Sequence, residues 1–90
     1  MLTTETIALA QIVKSKAGRD KGRVFIVTEI VDESYVHVVD GDLRMVDRPK
    51  RKKIKHLQVT DTILRELVEA IKTGSLQDAQ VRKTLDIYKK

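Results

Sequence analysis

A chain of 90 residues is long enough for one small domain with a single modest core, and a hydrophobic content of 41% argues against intrinsic disorder. The absence of cysteine excludes a disulfide framework and a thiolate metal site, and no apolar run approaches the roughly 20 residues needed to span a bilayer. Eighteen Lys and Arg residues against thirteen Asp and Glu residues give a formal net charge of +5, which indicates a polyanionic partner.

The first five residues do not have the form of a secretory signal. They read Met-Leu-Thr-Thr-Glu, without the positively charged opening or the long apolar stretch that such signals carry. Together with the absence of cysteine, this composition predicts a protein of the cytoplasm.

Residues 7–60 carry the pattern of short β-strands separated by turns. Four groups of apolar and β-branched residues are predicted to form strands: 7–14, 24–31, 35–39 and 43–46. The fourth is the weakest and is stopped by Pro49, which is tolerated only at a sheet edge or in a loop. Leu57 and Val59 then return the chain to the core, after a bulge or turn predicted near residues 55–56. Short strands with turns roughly every 8–12 residues predict a small β-barrel.

After Thr60 the spacing of the apolar residues changes to that of a helix. One stripe consists of Ile63, Leu64, Leu67, Val68 and Ile71, and a second, shorter stripe consists of Val81, Leu85 and Tyr88. Thr60 or Asp61 is expected to cap the first helix, and Gly74 is expected to end it. Ser75 and Asp78 resemble a capping arrangement at the start of the second helix.

Charged residues are sorted into segments along the chain. Residues 14–23 hold five basic residues and one acid, residues 29–42 hold five acids and no Lys or Arg, and residues 44–55 hold seven basic residues and one acid. Sorting of this kind can give a domain one phosphate-binding face. The four consecutive cations at residues 50–53 repel one another, which is tolerable only in water or against a polyanion. We expect an exposed loop or edge there that contacts nucleic acid; the alternative is a solvated basic loop without a partner.

The acids of the central segment fall largely in predicted turns: Asp32, Glu33, Asp40 and Asp42. We interpret them as a solvated edge that repels RNA rather than as a metal site. His37 lies between two valines, with no cysteine or carboxylate at ligand spacing, so no metal role is predicted for it.

Two stretches of the sequence resemble a known family. Residues 11–27 (QIVKSKAGRDKGRVFIV) resemble a KOW motif, in which two strands flank a basic turn that contains glycine. Residues 48–57 (RPKRKKIKHL) are similar to the basic segment and Lys-His-Leu element of the fourteen-e family of archaeal and eukaryotic large-subunit ribosomal proteins. The length, charge and order of elements are most similar to the short bacterial members of that group, which are KOW-domain RNA-binding proteins. Ala10 lies where the relatives usually carry glycine.

The resemblance implies a mainly β fold, a small SH3-like barrel that contacts ribosomal RNA. With the helical pattern added, the sequence predicts a barrel over residues 1–60 and two short C-terminal helices in an appendage over residues 61–90, packed on or beside the barrel.

The predicted RNA-binding residues are the cations of the two basic segments, two glycines and one histidine: Lys14, Lys16, Gly18, Arg19, Lys21, Gly22, Arg23, Arg44, Arg48, Lys50, Arg51, Lys52, Lys53, Lys55 and His56. The two glycines either let backbone amides approach phosphate oxygens or merely form the turn. His56 either stacks on a base or is a half-buried structural residue.

The sequence contains no recognisable catalytic motif. It contains no Ser-His-Asp arrangement, no P-loop and no GxGxxG, so we expect no enzyme activity, no cofactor and no small-molecule substrate. Its three aromatic residues, Phe25, Tyr35 and Tyr88, are too scattered to form a stacking platform for single strands. RNA recognition is therefore expected to rest on phosphates and on the shape of folded RNA.

These observations predict a cytoplasmic, ribosome-associated protein that binds structured RNA, with large-subunit ribosomal RNA as its partner. The competing hypothesis is a KOW module that binds a protein. In that case residues 61–89 are the docking surface for a ribosomal or transcription protein.

Overall fold

The structure is a computed structural model that describes residues 7–88. Its elements in chain order are β1 (Gln11–Ser15), β2 (Val24–Ile30), β3 (Tyr35–Val39), β4 (Lys50–Lys53), a 3₁₀ helix (Ile54–His56), β5 (Leu57–Ile63), α1 (Arg65–Thr73), α2 (Asp78–Leu85) and a second 3₁₀ helix (Asp86–Tyr88). The interpretation of the first five residues as unlike a secretory signal lies outside the described residues. Within residues 7–88, no helix combines the length and apolar character needed to cross a membrane.

The five strands form one antiparallel sheet in the order β4-β3-β2-β1-β5. Strands β4 and β5 lie at opposite edges of this sheet, yet only the three residues of the first 3₁₀ helix separate them along the chain. The sheet must therefore coil until its two edges approach each other, as in a small barrel. This confirms the predicted mainly β, SH3-like barrel with two short C-terminal helices.

One hydrophobic cluster fills the inside of the coiled sheet. Its members come from four strands, the first 3₁₀ helix and the segment before β1: Ile7, Val13, Phe25, Val27, Val36, Val38, Ile54 and Leu57. No residue of α1 or α2 belongs to this cluster. Strand β2 is buried on both faces over its first four residues, which explains the unbroken apolar run at the start of that strand.

A second cluster joins the outer face of the sheet to the helices. The sheet side contributes Ala10, Ile12, Val24, Ile26 and Val39, and the helical side contributes Leu64, Leu67, Leu76, Val81 and Leu85. Complete burial of a leucine or valine side chain stabilises a fold by about 1.5–3 kcal/mol. The segment over residues 64–85 therefore contributes half of one of the two hydrophobic clusters.

Two predicted strands differ from the observed ones. Strand β1 begins at Gln11 rather than at residue 7, after a tight turn in which the N–H of Gln11 donates to the carbonyl of Ala8. Residues 43–46 form no strand, and only one isolated bridge joins Met45 to Arg48. The backbone N–H of Val46 donates instead to the carboxylate of Asp78, at 2.7 Å, which takes it out of any sheet ladder.

The boundary between the last strand and the first helix was also predicted too early. Strand β5 continues to Ile63, because Ile63 pairs with Gln11 of β1 and the Gln11 side chain donates to the carbonyl of Thr60. This long-range pairing overrides the helical spacing, and α1 begins at Arg65 without a side-chain cap. Helix α2 likewise lacks the predicted serine cap, because its N-cap residue is Gln77.

Five of the described residues adopt the left-handed conformation that favours glycine: Ala10, Gly18, Gly22, Gly41 and Gly74. Gly18 and Gly22 have φ of 77° and 89°, and Gly74 ends α1 with φ of 74°, all as predicted. Ala10 also has a positive φ, 66°, and is fully buried. Glycine, the residue that the family resemblance leads us to expect there, adopts this conformation at a lower steric cost than alanine.

Valine at Gly18 or Gly22 should destabilise the protein by about 1–2 kcal/mol, because β-branched residues rarely adopt positive φ. A Cβ at either position meets no atom within 4 Å, so the cost comes from the backbone alone. Asparagine tolerates this conformation and should recover most of the loss. Urea unfolding of Gly22→Val and Gly22→Asn measures both effects. Equal midpoints for the valine variant and the parent would contradict the strained turn.

Candidate nucleic-acid interface

The two basic segments of the sequence meet at one end of the barrel. Ser15 pairs with Leu57 in the β1–β5 ladder, and beyond it the N–H of Lys16 donates to the carbonyl of His56 at 2.8 Å. The side chains of Lys16, Lys55 and His56 are all exposed at this junction. Cations that are far apart in the sequence therefore share one surface. His56 is exposed rather than half-buried, so that structural interpretation was wrong.

The glycine turn between β1 and β2 forms the second part of this end. Its amides are already used within the turn: the N–H groups of Lys21, Gly22 and Arg23 donate to the carbonyls of Gly18, Ser15 and Asp20. These three amides are not free to bind a phosphate. The exposed side chains of Arg19 and Lys21 carry the positive charge of the turn.

Residues 50–53, predicted as a loop or an edge, are the edge strand β4. Its side chains alternate, so that Lys52, opposite the inward-facing Val36, points into the barrel, whereas Arg51 points outward. The guanidinium of Arg51 lies 4.3 Å from the centre of the Tyr35 ring, a cation–π contact on the outer surface. The run of four cations is thus divided between two sides of one strand.

Lys52 is a buried cation rather than a surface one. Only 10% of its side chain is exposed, and its Nζ lies 3.6 Å from Oδ2 of Asp20 and 3.2 Å from Oγ of Ser15. The Ser15 hydroxyl can donate in turn to the carbonyl of Ala17, at 2.9 Å. The ammonium group therefore links the edge strand to the start of the glycine turn.

Asp20 joins three parts of the chain. Its side chain is 6% exposed, and its Oδ2 also accepts a hydrogen bond from Nη2 of Arg44 at 3.2 Å. The carboxylate thereby connects the turn to the loop after β3 and, through Lys52, to β4. Sequence reasoning missed this role. The available signal was that Asp20 is the one acid among the basic residues at 14–23.

Asp40 organises the loop after β3 in the same manner. Its Oδ1 accepts the N–H groups of Asp42 and Arg44, at 2.9 and 2.8 Å, and its Oδ2 accepts Nε and Nη2 of Arg23, at 3.2 and 2.9 Å. The side chain is fully buried. Burial raises the pKa of Asp40, but the backbone donors and the Arg23 guanidinium outweigh it and hold the pKa below its usual value.

The interpretation of the acidic segment as a solvated edge therefore needs correction at Asp40. The sequence Asp-Gly-Asp forms a tight turn whose amides need an acceptor, and the buried carboxylate supplies it. Asp32 fits the original expectation of an exposed turn acid, since it accepts the N–H groups of Ser34 and Tyr35 at the surface.

The predicted cations separate into two groups by their partners. Arg23, Arg44 and Lys52 lie within 4 Å of a carboxylate. Within the part of the chain that the structure describes, the other nine have no such partner: Lys14, Lys16, Arg19, Lys21, Arg48, Lys50, Arg51, Lys53 and Lys55. Lys14 pairs with Gln58 in the β1–β5 ladder and lines a surface cleft together with Gly22 and Tyr88. Internal ion pairs thus leave most of the basic charge uncompensated.

Comparison with known proteins gives relatives of one kind. The chain is 32% identical to the large ribosomal subunit protein eL14 of Desulfurococcus amylolyticus over 84 residues, which cover 83% of this chain and 86% of the relative. It is also 32% identical to eL14 of Pyrobaculum calidifontis over 82 residues, 91% of this chain and 74% of the relative. No protein-family profile matches the chain.

Lys52→Met should destabilise the protein by about 2 kcal/mol, because it leaves the buried carboxylate of Asp20 with Arg44 as its remaining cation. Lys53→Met is the matched control on the same strand. Lys53 is exposed, so its replacement should change stability by less than about 0.5 kcal/mol. Urea unfolding of both variants provides the measurement. Equal losses of stability in the two variants would show that the buried Lys52–Asp20 pair contributes no more than an exposed lysine does.

Asp40→Asn should make stability less dependent on pH. In the parent, the lowered pKa of Asp40 stabilises the fold above the ordinary value of about 3.9, and this contribution disappears as the pH falls through the folded-state pKa. The asparagine variant should therefore be less stable than the parent at pH 7, and the difference in stability should narrow as the pH falls below about 3.9. Asp42→Asn, at an exposed carboxylate, is the control. Melting curves that keep a constant difference across this range would contradict the role of the buried charge.

Proposed function

This chain belongs to the family of the large ribosomal subunit protein eL14, and from that premise we propose that it binds structured ribosomal RNA of the large subunit. The observation that carries the proposal is the junction of the two basic segments at Lys16 and His56. One end of a small rigid barrel then presents cations from both segments to a single RNA.

The chemistry of the exposed groups supports contact with phosphates rather than with bases. Lys16, Lys21 and Lys55 are exposed ammonium groups that suit phosphate oxygens as point charges. Two of the three aromatic rings are poorly placed for base stacking, since Phe25 is fully buried and Tyr35 has a guanidinium over it. Double-stranded RNA is recognised mostly through its shape and its backbone, which matches this set of groups.

The internal ion pairs support the proposal by holding the backbone of the glycine turn and of β4, which carry surface cations. Asp20 and Asp40 hold the glycine turn and the following loop through Arg23, Arg44 and Lys52. These three cations offset buried acids, so they are removed from the proposed RNA surface. A preorganised backbone loses less conformational entropy on binding than a mobile loop does.

Lys16→Gln, Lys21→Gln and Lys55→Gln in one chain should weaken binding to large-subunit ribosomal RNA at least tenfold. For every phosphate that the variant no longer neutralises, the slope of log affinity against log salt should fall by roughly 0.7–0.9. The measurement is filter binding at several salt concentrations, with co-sedimentation on large ribosomal subunits as a second assay.

The matched control removes three exposed cations from the helical segment by replacing Arg65, Lys72 and Lys83 with glutamine. Both triple variants have a formal net charge of +2 instead of +5, so a difference between them reflects position and not total charge. If both variants bind RNA as tightly as the parent, the proposal fails. The protein-binding hypothesis, with residues 61–89 as the docking surface, then takes its place.

A further inference from the structure

A groove of about 730 Å³ lies on the side of the molecule where the outer face of the barrel meets the turn between α1 and α2. Its apolar floor is formed by Val46, Ile71 and Leu76. Val46 and Ile71 are half-buried against the hydrophobic cluster under the helices, and Leu76 belongs to that cluster. The floor is therefore part of the packed structure, and its shape does not depend on long mobile side chains.

The rim of the groove is acidic. Three carboxylates line it: Glu29 on β2, Asp47 in the loop before β4 and Asp78 at the start of α2. None of the described residues that line the groove is Lys or Arg, although Lys and Arg make up 18 of the 90 residues of this protein. Arg51, which pairs with His37 across β3 and β4, lies over the ring of Tyr35 instead.

The walls of the groove are held by specific contacts. Oδ1 of Asp78 accepts the N–H of Val46, which ties the start of α2 to the loop before β4. On the opposite wall, Oε1 of Glu29 lies 2.9 Å from Nδ1 of His37, a pair that joins β2 to β3. A groove with fixed walls loses little conformational entropy when a partner enters it.

We propose that this groove docks a protein segment in which lysine or arginine residues alternate with apolar ones. The apolar side chains of the segment cover Val46, Ile71 and Leu76, and its cations lie against Glu29, Asp47 and Asp78. The charge of the rim selects the class of macromolecule, because it repels the phosphates of RNA and attracts a basic peptide. The groove shares no lining residue with the junction of Lys16, Lys55 and His56, so we expect RNA and the segment to bind together.

The probe is the hexapeptide Lys-Leu-Lys-Pro-Lys-Leu, titrated into the ¹⁵N-labelled protein and followed by amide chemical shifts. We expect the largest shifts at Thr28, Val46, Ile71 and Leu76. Two peptides test the two halves of the recognition: Glu-Leu-Glu-Pro-Glu-Leu reverses the charge, and Lys-Ser-Lys-Pro-Lys-Ser removes the apolar groups. Each should bind at least tenfold more weakly. Equal binding of either peptide, or shifts concentrated outside the groove, would overturn the proposal.

Glu29→Lys with Asp47→Lys should weaken binding of the basic hexapeptide at least tenfold, whereas Glu33→Lys with Asp61→Lys should change it less than twofold. All four acids are exposed and the control pair lies outside this groove, so net charge is matched. Because Glu29 also pairs with His37, urea unfolding of both variants checks that each remains folded. Large-subunit ribosomal RNA serves as the competing ligand. If RNA shifts the groove amides, the rim does not exclude nucleic acid and the proposal is overturned. Failure of RNA to bind elsewhere bears only on the RNA-binding proposal.

Discussion

Inside the basic end of the barrel, the carboxylate of Asp20 lies against the ammonium group of Lys52 and the guanidinium of Arg44. Removing such charges from water is costly, and the cost is offset only when each charge has a partner of good geometry. This carboxylate connects the glycine turn, the loop after β3 and the edge strand. The arrangement of the turn and of β4, which carry exposed cations, therefore depends on the neutralisation of this buried carboxylate.

The role of each charged side chain in this protein depends on whether it is buried or exposed, and not on its position in the sequence. Neighbours in the run of four cations serve different purposes, since Lys52 is bound within the barrel and Arg51 lies on an aromatic ring outside it. The acids divide in the same way, with Asp40 buried as the acceptor for a turn and Glu29 exposed on the rim of a groove. The net charge of the chain thus overstates the number of cations available at the basic end of the barrel. It also gives no sign of the acidic rim of the groove.

The sequence predicted the barrel, the glycine turn and the end of α1 at Gly74, because these depend on local spacing and on φ. It failed where distant contacts decide the outcome. Ile63 fits a helical stripe but pairs with Gln11, and Asp78 fits a capping pattern but binds the N–H of Val46. The burial of Lys52 follows from the alternation of side chains along a strand. It could not be predicted from the sequence, because residues 50–53 were not assigned to a strand.

The environment of Lys52 also has a kinetic consequence. Acylating reagents must reach Nζ of lysine, and in Lys52 this atom lies between Ser15 and Asp20, with only 10% of the side chain exposed. Its modification then requires β4 to separate from the glycine turn, an opening motion whose free energy governs the rate. Lys53, the exposed neighbour on the same strand, sets the rate of unhindered labelling. The ratio of the two labelling rates reports how often β4 separates from the glycine turn under native conditions.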